Sequence, residues 1–145
     1  MIGMKSALPL AFATLLALAC SILPRAARAD AAEKAAVSAA DAWLKLVDAG
    51  EFGTSWDEAA GFFKGAVAEA DWERSLKAAR TPLGKVLSRK VASRTYTTSL
   101  PGAPDGKYVV LQYETSFENK KRATETVTPM LDADGRWRVS GYYIK

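Results

Sequence analysis

Glu125 stands in the stretch TETV, with Val127 and Leu131 at even spacings beyond it. Read as a strand, Glu125, Val127 and Leu131 share one face and Thr124, Thr126 and Met130 the other. A carboxylate carried inward with apolar neighbours needs a partner or titrates upward. Three arrangements meet that need: an ion pair with an arginine such as Arg80, a strand whose facing is the reverse, or a general base in a pocket with a tyrosine such as Tyr113 as proton donor. Arg80 falls in the last turn of a helical pattern, where a cation also suits the helix dipole. Trp137 lies on a sheet-face pattern, where a cavity under covering helices would open. The candidate catalytic residues are therefore Glu125 and Tyr113, and the candidate binding residues Trp137, Arg80, Glu125 and Tyr113.

Much chemistry is excluded. The chain has no histidine and one cysteine, Cys20. Ser-His and Cys-His nucleophile pairs and zinc sites of the usual Cys/His kind are out of reach. DADG at 132 to 135 offers Asp132 and Asp134, but its glycine comes too early for a calcium loop and the distal glutamate is missing. No glycine-rich phosphate loop or dinucleotide fingerprint occurs. We expect no metal and no cofactor; any catalysis would rest on carboxylates, tyrosines, lysines or arginines.

The first residues set the compartment and the domain boundary. Lys5, an apolar run from Ala7 to Leu23, and Ala27-Arg28-Ala29 before Asp30 have the layout of a secretory signal peptide. The reading is a signal peptide over 1–29, one domain over 30–145, periplasmic or secreted, with no membrane span after cleavage. ALAC ending at Cys20 is a weaker lipoprotein pattern, with Ala17 and Leu18 where such a site usually has Leu and a smaller residue. Cleavage removes Lys5, Arg25 and Arg28 and no acid, so 20 basic residues against 16 acidic become 17 against 16. The basic balance then belongs mostly to the leader, and nucleic acid is not an expected partner. What remains is uneven: 6 basic and 10 acidic residues over 30–80, 11 and 6 over 81–145. The segment ENKKR with Lys107 could form a basic patch, or could deter edge pairing.

The elements that must position these side chains change period part-way along. Ala31 to Ala49 carries Val37, Ala40, Leu44 and Val47 at helical spacing with Trp43 beside them, and Gly50 stops it. Ser55 to Glu58 reads as a capping box opening a second helix, with Ala59, Phe62, Phe63 and Val67 inward. A third helix spans about Glu69 to Arg80 and ends before Pro82. After Gly84 the period becomes 2. KVLSRKVASRTYTT is a strand of weak alternation and uncertain facing. KYVVLQYETSF places Val109, Leu111, Tyr113, Thr115 and Phe117 on one face. RATETVTPML follows, with a bulge or lapsed pairing expected at Pro129. DADG then leads into RWRVSGYYIK, where a bulge at Gly141 lets Tyr142 and Ile144 take the face of Trp137 and Val139. Each of the four tryptophans is worth about 4 to 6 kcal/mol if its roughly 150 to 250 Å² is buried. A domain without disulfides therefore uses most of them as packing.

The runs WLKLVDAGEFGTSW, RTPLG, PGAPDGKYVVLQYETSF, TETV and DGRWRVSGYYI, with the tryptophan at 72, resemble the exported bacterial domain-of-unknown-function family 4019 over nearly the whole of 30–145. That resemblance implies export and carries no catalytic residue. The fold implied is α+β, with three N-terminal helices packed on a curved four-stranded antiparallel sheet, similar to the nuclear-transport-factor-2-like (cystatin-like) cone. That fold hosts acid/base enzymes and also binding and dimerising modules, so a homodimer is among its implications. The function expected is an exported non-catalytic domain binding a small apolar or amphiphilic ligand or a protein partner. The alternative is a small isomerase or dehydratase with Glu125 as base.

Overall fold

The computed structural model describes residues 22–145, so most of the apolar leader and Cys20 lie outside the described residues. The elements run α1 (Arg25–Asp48), α2 (Phe52–Asp57), α3 (Gly61–Ala66), α4 (Glu69–Arg80), a 3-10 turn over Thr81–Leu83, then β1 (Val86–Thr97), β2 (Tyr108–Phe117), β3 (Lys120–Leu131) and β4 (Trp137–Ile144). The class is the expected α+β: helices first, then an open antiparallel sheet in the order β1-β2-β3-β4. No described helix is long and apolar enough to cross a membrane.

Helix α1 begins before the expected Ala31, at Arg25, so the anticipated cleavage point falls within its first turns. It buries Ala36, Ala40, Trp43, Leu44 and Val47, one stripe at spacings of three and four. It ends in a Schellman pattern: Gly50 N–H donates to Val47 O and Glu51 N–H to Leu46 O, with Gly50 at φ 76°.

The single second helix expected from Ser55 is instead two short ones, and Ser55 does not cap either. It lies inside α2, fully buried, where its hydroxyl donates to Phe52 O at 2.6 Å and accepts from Trp72 Nε1 at 3.0 Å. Its carbonyl accepts from Trp43 Nε1 at 2.8 Å. The chain breaks between α2 and α3 because Ala60 N–H leaves the helical ladder and donates to Val139 O on β4, at 2.8 Å. The N–H that Pro129 lacks would have faced β2, as that of Leu131 does in donating to Lys107 O, and the β2–β3 pairing lapses at this point. Phe62, expected inward, is exposed, whereas Phe63 meets Trp72 edge-on at 4.9 Å.

Irregularities shape the sheet as expected around Pro129 and Gly141. The β2–β3 ladder lapses between the pairs Leu111↔Val127 and Tyr108↔Met130. Across β4, Ser140 and Gly141 together stand opposite Thr128, and Ser140 Oγ donates to Thr128 O at 2.7 Å. Such bulges bend a strand and raise its twist. Beneath the helices the face has rows Val91–Tyr113–Glu125, Arg89–Thr115–Ala123 and Leu111–Val127–Tyr142. The face predicted for β2 is the buried one, and Tyr142 follows Val139 onto it after the bulge.

Candidate functional site

Glu125 is where the sequence placed it, inward and with no exposed surface. Its partner is Arg89, not Arg80: Arg89 Nε donates to Glu125 Oε1 at 2.7 Å. The reason is register, since the row Arg89–Thr115–Ala123 runs beside the row Val91–Tyr113–Glu125 on the same face. Thr115 Oγ1 donates to the same oxygen at 2.6 Å, and the Tyr142 hydroxyl donates to Oε2. Both carboxylate oxygens are therefore engaged by strong donors.

Arg89 extends the network. Its two terminal nitrogens grip Asp48 at the end of α1, at 2.7 and 3.0 Å. Arg80 reaches the same carboxylate at 2.8 Å, while its guanidinium carbon sits 5.0 Å from the centre of the Phe117 ring. Arg80 is itself buried, so it is a structural cation joining α4 to α1 as well as a helix-end charge. Its Nε is the one buried side-chain polar atom among the described residues with no hydrogen-bond partner.

Two cations and two anions thus meet under α1 and α4. Burial opposes ionisation of Asp48, but the bonds and charges of Arg89 and Arg80 outweigh it and hold the carboxyl below its ordinary 3.8. Burial likewise works against the Arg89 charge, and Asp48 and Glu125 more than restore it. The Tyr142 phenol is pushed well up, by burial first and then by the Glu125 charge.

Tyr113 pairs in register with Glu125, but its hydroxyl points to α1 and donates to Asp41 Oδ1 at 2.9 Å. Burial and then Asp41 raise its pKa, so it holds its proton firmly. The sequence candidates Glu125 and Tyr113 are neighbours whose functional atoms serve different partners.

Trp137 stands elsewhere. It is half-buried and lines a cleft of about 430 Å³ between α1 and β4, together with Ala39, Ala42, Trp43, Leu46 and Val139. Arg136, Arg138 and Glu58 form its charged rim. Arg138 is tied to Asp134 at 2.7 Å and to Asp132 at 3.2 Å. Hydrogen bonds from Arg138 chiefly hold the Asp134 carboxyl well below the usual carboxylate range. The DADG carboxylates are thus spent on an arginine clamp that closes the hairpin.

A family model described as a protein of unknown function, DUF4019, matches residues 39–142. The chain belongs to the DUF4019 family. No curated protein matches it significantly. The span common to DUF4019 takes in both the cleft residues Trp43 and Trp137 and the buried network from Asp48 to Tyr142.

Three members of that network carried no usable signal in the sequence. Arg89 sits on the strand of weak alternation, so nothing fixed its facing. Asp48 reads as an ordinary helix-end acid, and Thr115 as one more face residue of β2. The Gly141 bulge puts Tyr142 on the inner face, and its hydroxyl on the face of Glu125 is the one signal in the sequence that points to this network.

Proposed function

We propose that this DUF4019 domain is an exported, non-catalytic binding module that takes a small apolar or amphiphilic molecule into the cleft between α1 and β4. One observation carries the reading: Trp137, a large ring left half-open in a disulfide-free fold, lines a cleft of about 430 Å³ in which apolar side chains of α1 and β4 adjoin Thr54, Glu58, Arg136 and Arg138. That volume lies in the range of small-molecule sites, and an apolar floor with a few polar groups is their usual make-up. The apolar side chain of a partner protein would fit the same floor. The acid/base alternative has no comparable support, because a general base needs an oxygen free to meet substrate and Glu125 accepts from Arg89, Thr115 and Tyr142. Helices covering one face of a four-stranded sheet favour the nuclear-transport-factor-2-like likeness, as a fold analogy only. Export rests on the N-terminal layout and on the burial pattern of α1, and the mass of the native N-terminus tests it.

The cleft is tested with dodecanoate below its micelle concentration, followed by indole emission. The expected result is a saturable spectral change. Its Kd should rise at least about tenfold, some 1.4 kcal/mol, in Trp137→Ala and in Ala42→Phe. The second variant fills the cleft from an exposed helix position and leaves the core intact. A flat titration, or equal affinity in Ala42→Phe, overturns the reading.

A further inference from the structure

The face of the sheet turned away from the helices carries a second, differently built groove. One row crosses three strands and reaches the residue after β4: Lys90 pairs with Glu114, Glu114 with Thr124, and Thr124 exchanges backbone hydrogen bonds of 3.0 and 2.9 Å with Lys145. Neighbouring Arg89, Thr115 and Ala123 belong to the helix side, so alternation sends this row to the open side. The next row has Ser88 against Ser116, and the irregularity after Thr115 brings Lys121 and Arg122 opposite it. Together these residues line an open groove of about 770 Å³.

The charge in this groove is one-sided. Glu114 is its only acidic side chain, and Lys90 holds it at 2.9 Å. Lys121, Arg122 and Lys145 are exposed, and among the described residues none of them has an ion-pair partner. Ser88, Ser116 and Thr124 add hydroxyls to the same lining. Unpaired cations deterring edge-to-edge pairing would account for charge at a strand end. They would not account for three cations lining one groove with hydroxyls beside them and its one carboxylate already paired.

We propose that this groove binds a multivalent oxyanion of the phosphate type. Lysines act there as mobile point charges, Arg122 supplies a forked donor, and the hydroxyls donate to the remaining oxygens. Three uncompensated positive charges match a ligand carrying two or three negative ones. A tetrahedral phosphate chain accepts from several directions at once, as donors spread across three strands require. The site is separate from the α1–β4 cleft and does not depend on it.

Calorimetric titration of the whole protein with inorganic tripolyphosphate at low ionic strength tests the proposal. A parallel arm uses vesicles of phosphatidylglycerol in phosphatidylcholine against phosphatidylcholine alone. Binding of tripolyphosphate marks a soluble ligand, and binding only to the anionic vesicles marks a lipid headgroup; both support the site. In either arm Lys121→Gln/Arg122→Gln should weaken binding at least tenfold, and Lys145→Gln by a smaller factor. Lys45→Gln/Lys77→Gln, which removes exposed cations elsewhere, should change it less than twofold. No saturable binding in either arm overturns the proposal, as does equal weakening by the control pair.

Discussion

Glu125 is fully enclosed, and of the donors around it Arg89 is the one that brings a positive charge, at 2.7 Å. Replacing Arg89 by methionine keeps much of the stem and strands a buried carboxylate. Breaking a buried pair on one side costs about 3–5 kcal/mol. Urea unfolding of Arg89→Met should show a loss of that order, and Arg89→Met/Glu125→Leu should recover part of it, because the stranded charge is gone while the Thr115 and Tyr142 hydroxyls lose their acceptor. A loss under about 1 kcal/mol for the single variant would mean that the pair does not hold the sheet to the helices. Half of this arrangement was legible in the sequence. Period-2 spacing with Val127 put Glu125 inside. Arg80 was the wrong arginine because its true anion, Asp48, lies 32 positions away on another helix, a separation that no local pattern encodes.

The elements were easier to read than their joints. The change of period at Gly84, the helix over 69–80 and the buried face of β2 follow from spacing alone. The S-x-x-E motif at 55 to 58 misled because the Ser55 hydroxyl serves an indole from α4, and a tertiary partner outbid the local cap. The break before α3 is likewise set from outside, by β4 claiming the Ala60 N–H. Helix α1 raises the remaining question of extent. Every residue it buries lies at Ala36 or later, so a cut after Ala29 would remove Arg25 to Ala29 and no buried side chain. A helix starting at Asp30 would also open with an acid near its positive dipole end. Mass spectrometry of protein recovered from its native cells should therefore give a chain beginning at Asp30. An intact N-terminus at Met1 would replace cleavage with a retained anchor, and a lipid mass on Cys20 would replace cleavage at Ala29 with lipid anchoring.

For the whole molecule, the same network and the missing histidines fix how stability follows pH. No imidazole is present to titrate between about pH 5 and 8, so stability should run level there. On the acid side, Asp48 has a folded pKa below 3.8. The unfolded chain then binds the proton first, and the stabilisation, complete above the unfolded value, is lost as pH falls through the folded one. On the alkaline side the sign is opposite. Tyr113 and Tyr142 titrate above the ordinary value of 10, so beyond that pH the unfolded chain releases protons that the folded one retains, and stability declines. A series of thermal melts from about pH 2.5 to 11 should show a plateau with two falling limbs. Asp48→Asn should flatten the acid limb while lowering the plateau, since Arg80 and Arg89 lose their shared anion. Tyr142→Phe should flatten the alkaline limb. A step within the plateau, or an alkaline limb unchanged in Tyr113→Phe/Tyr142→Phe, would show that groups other than this buried cluster govern the titration of the fold.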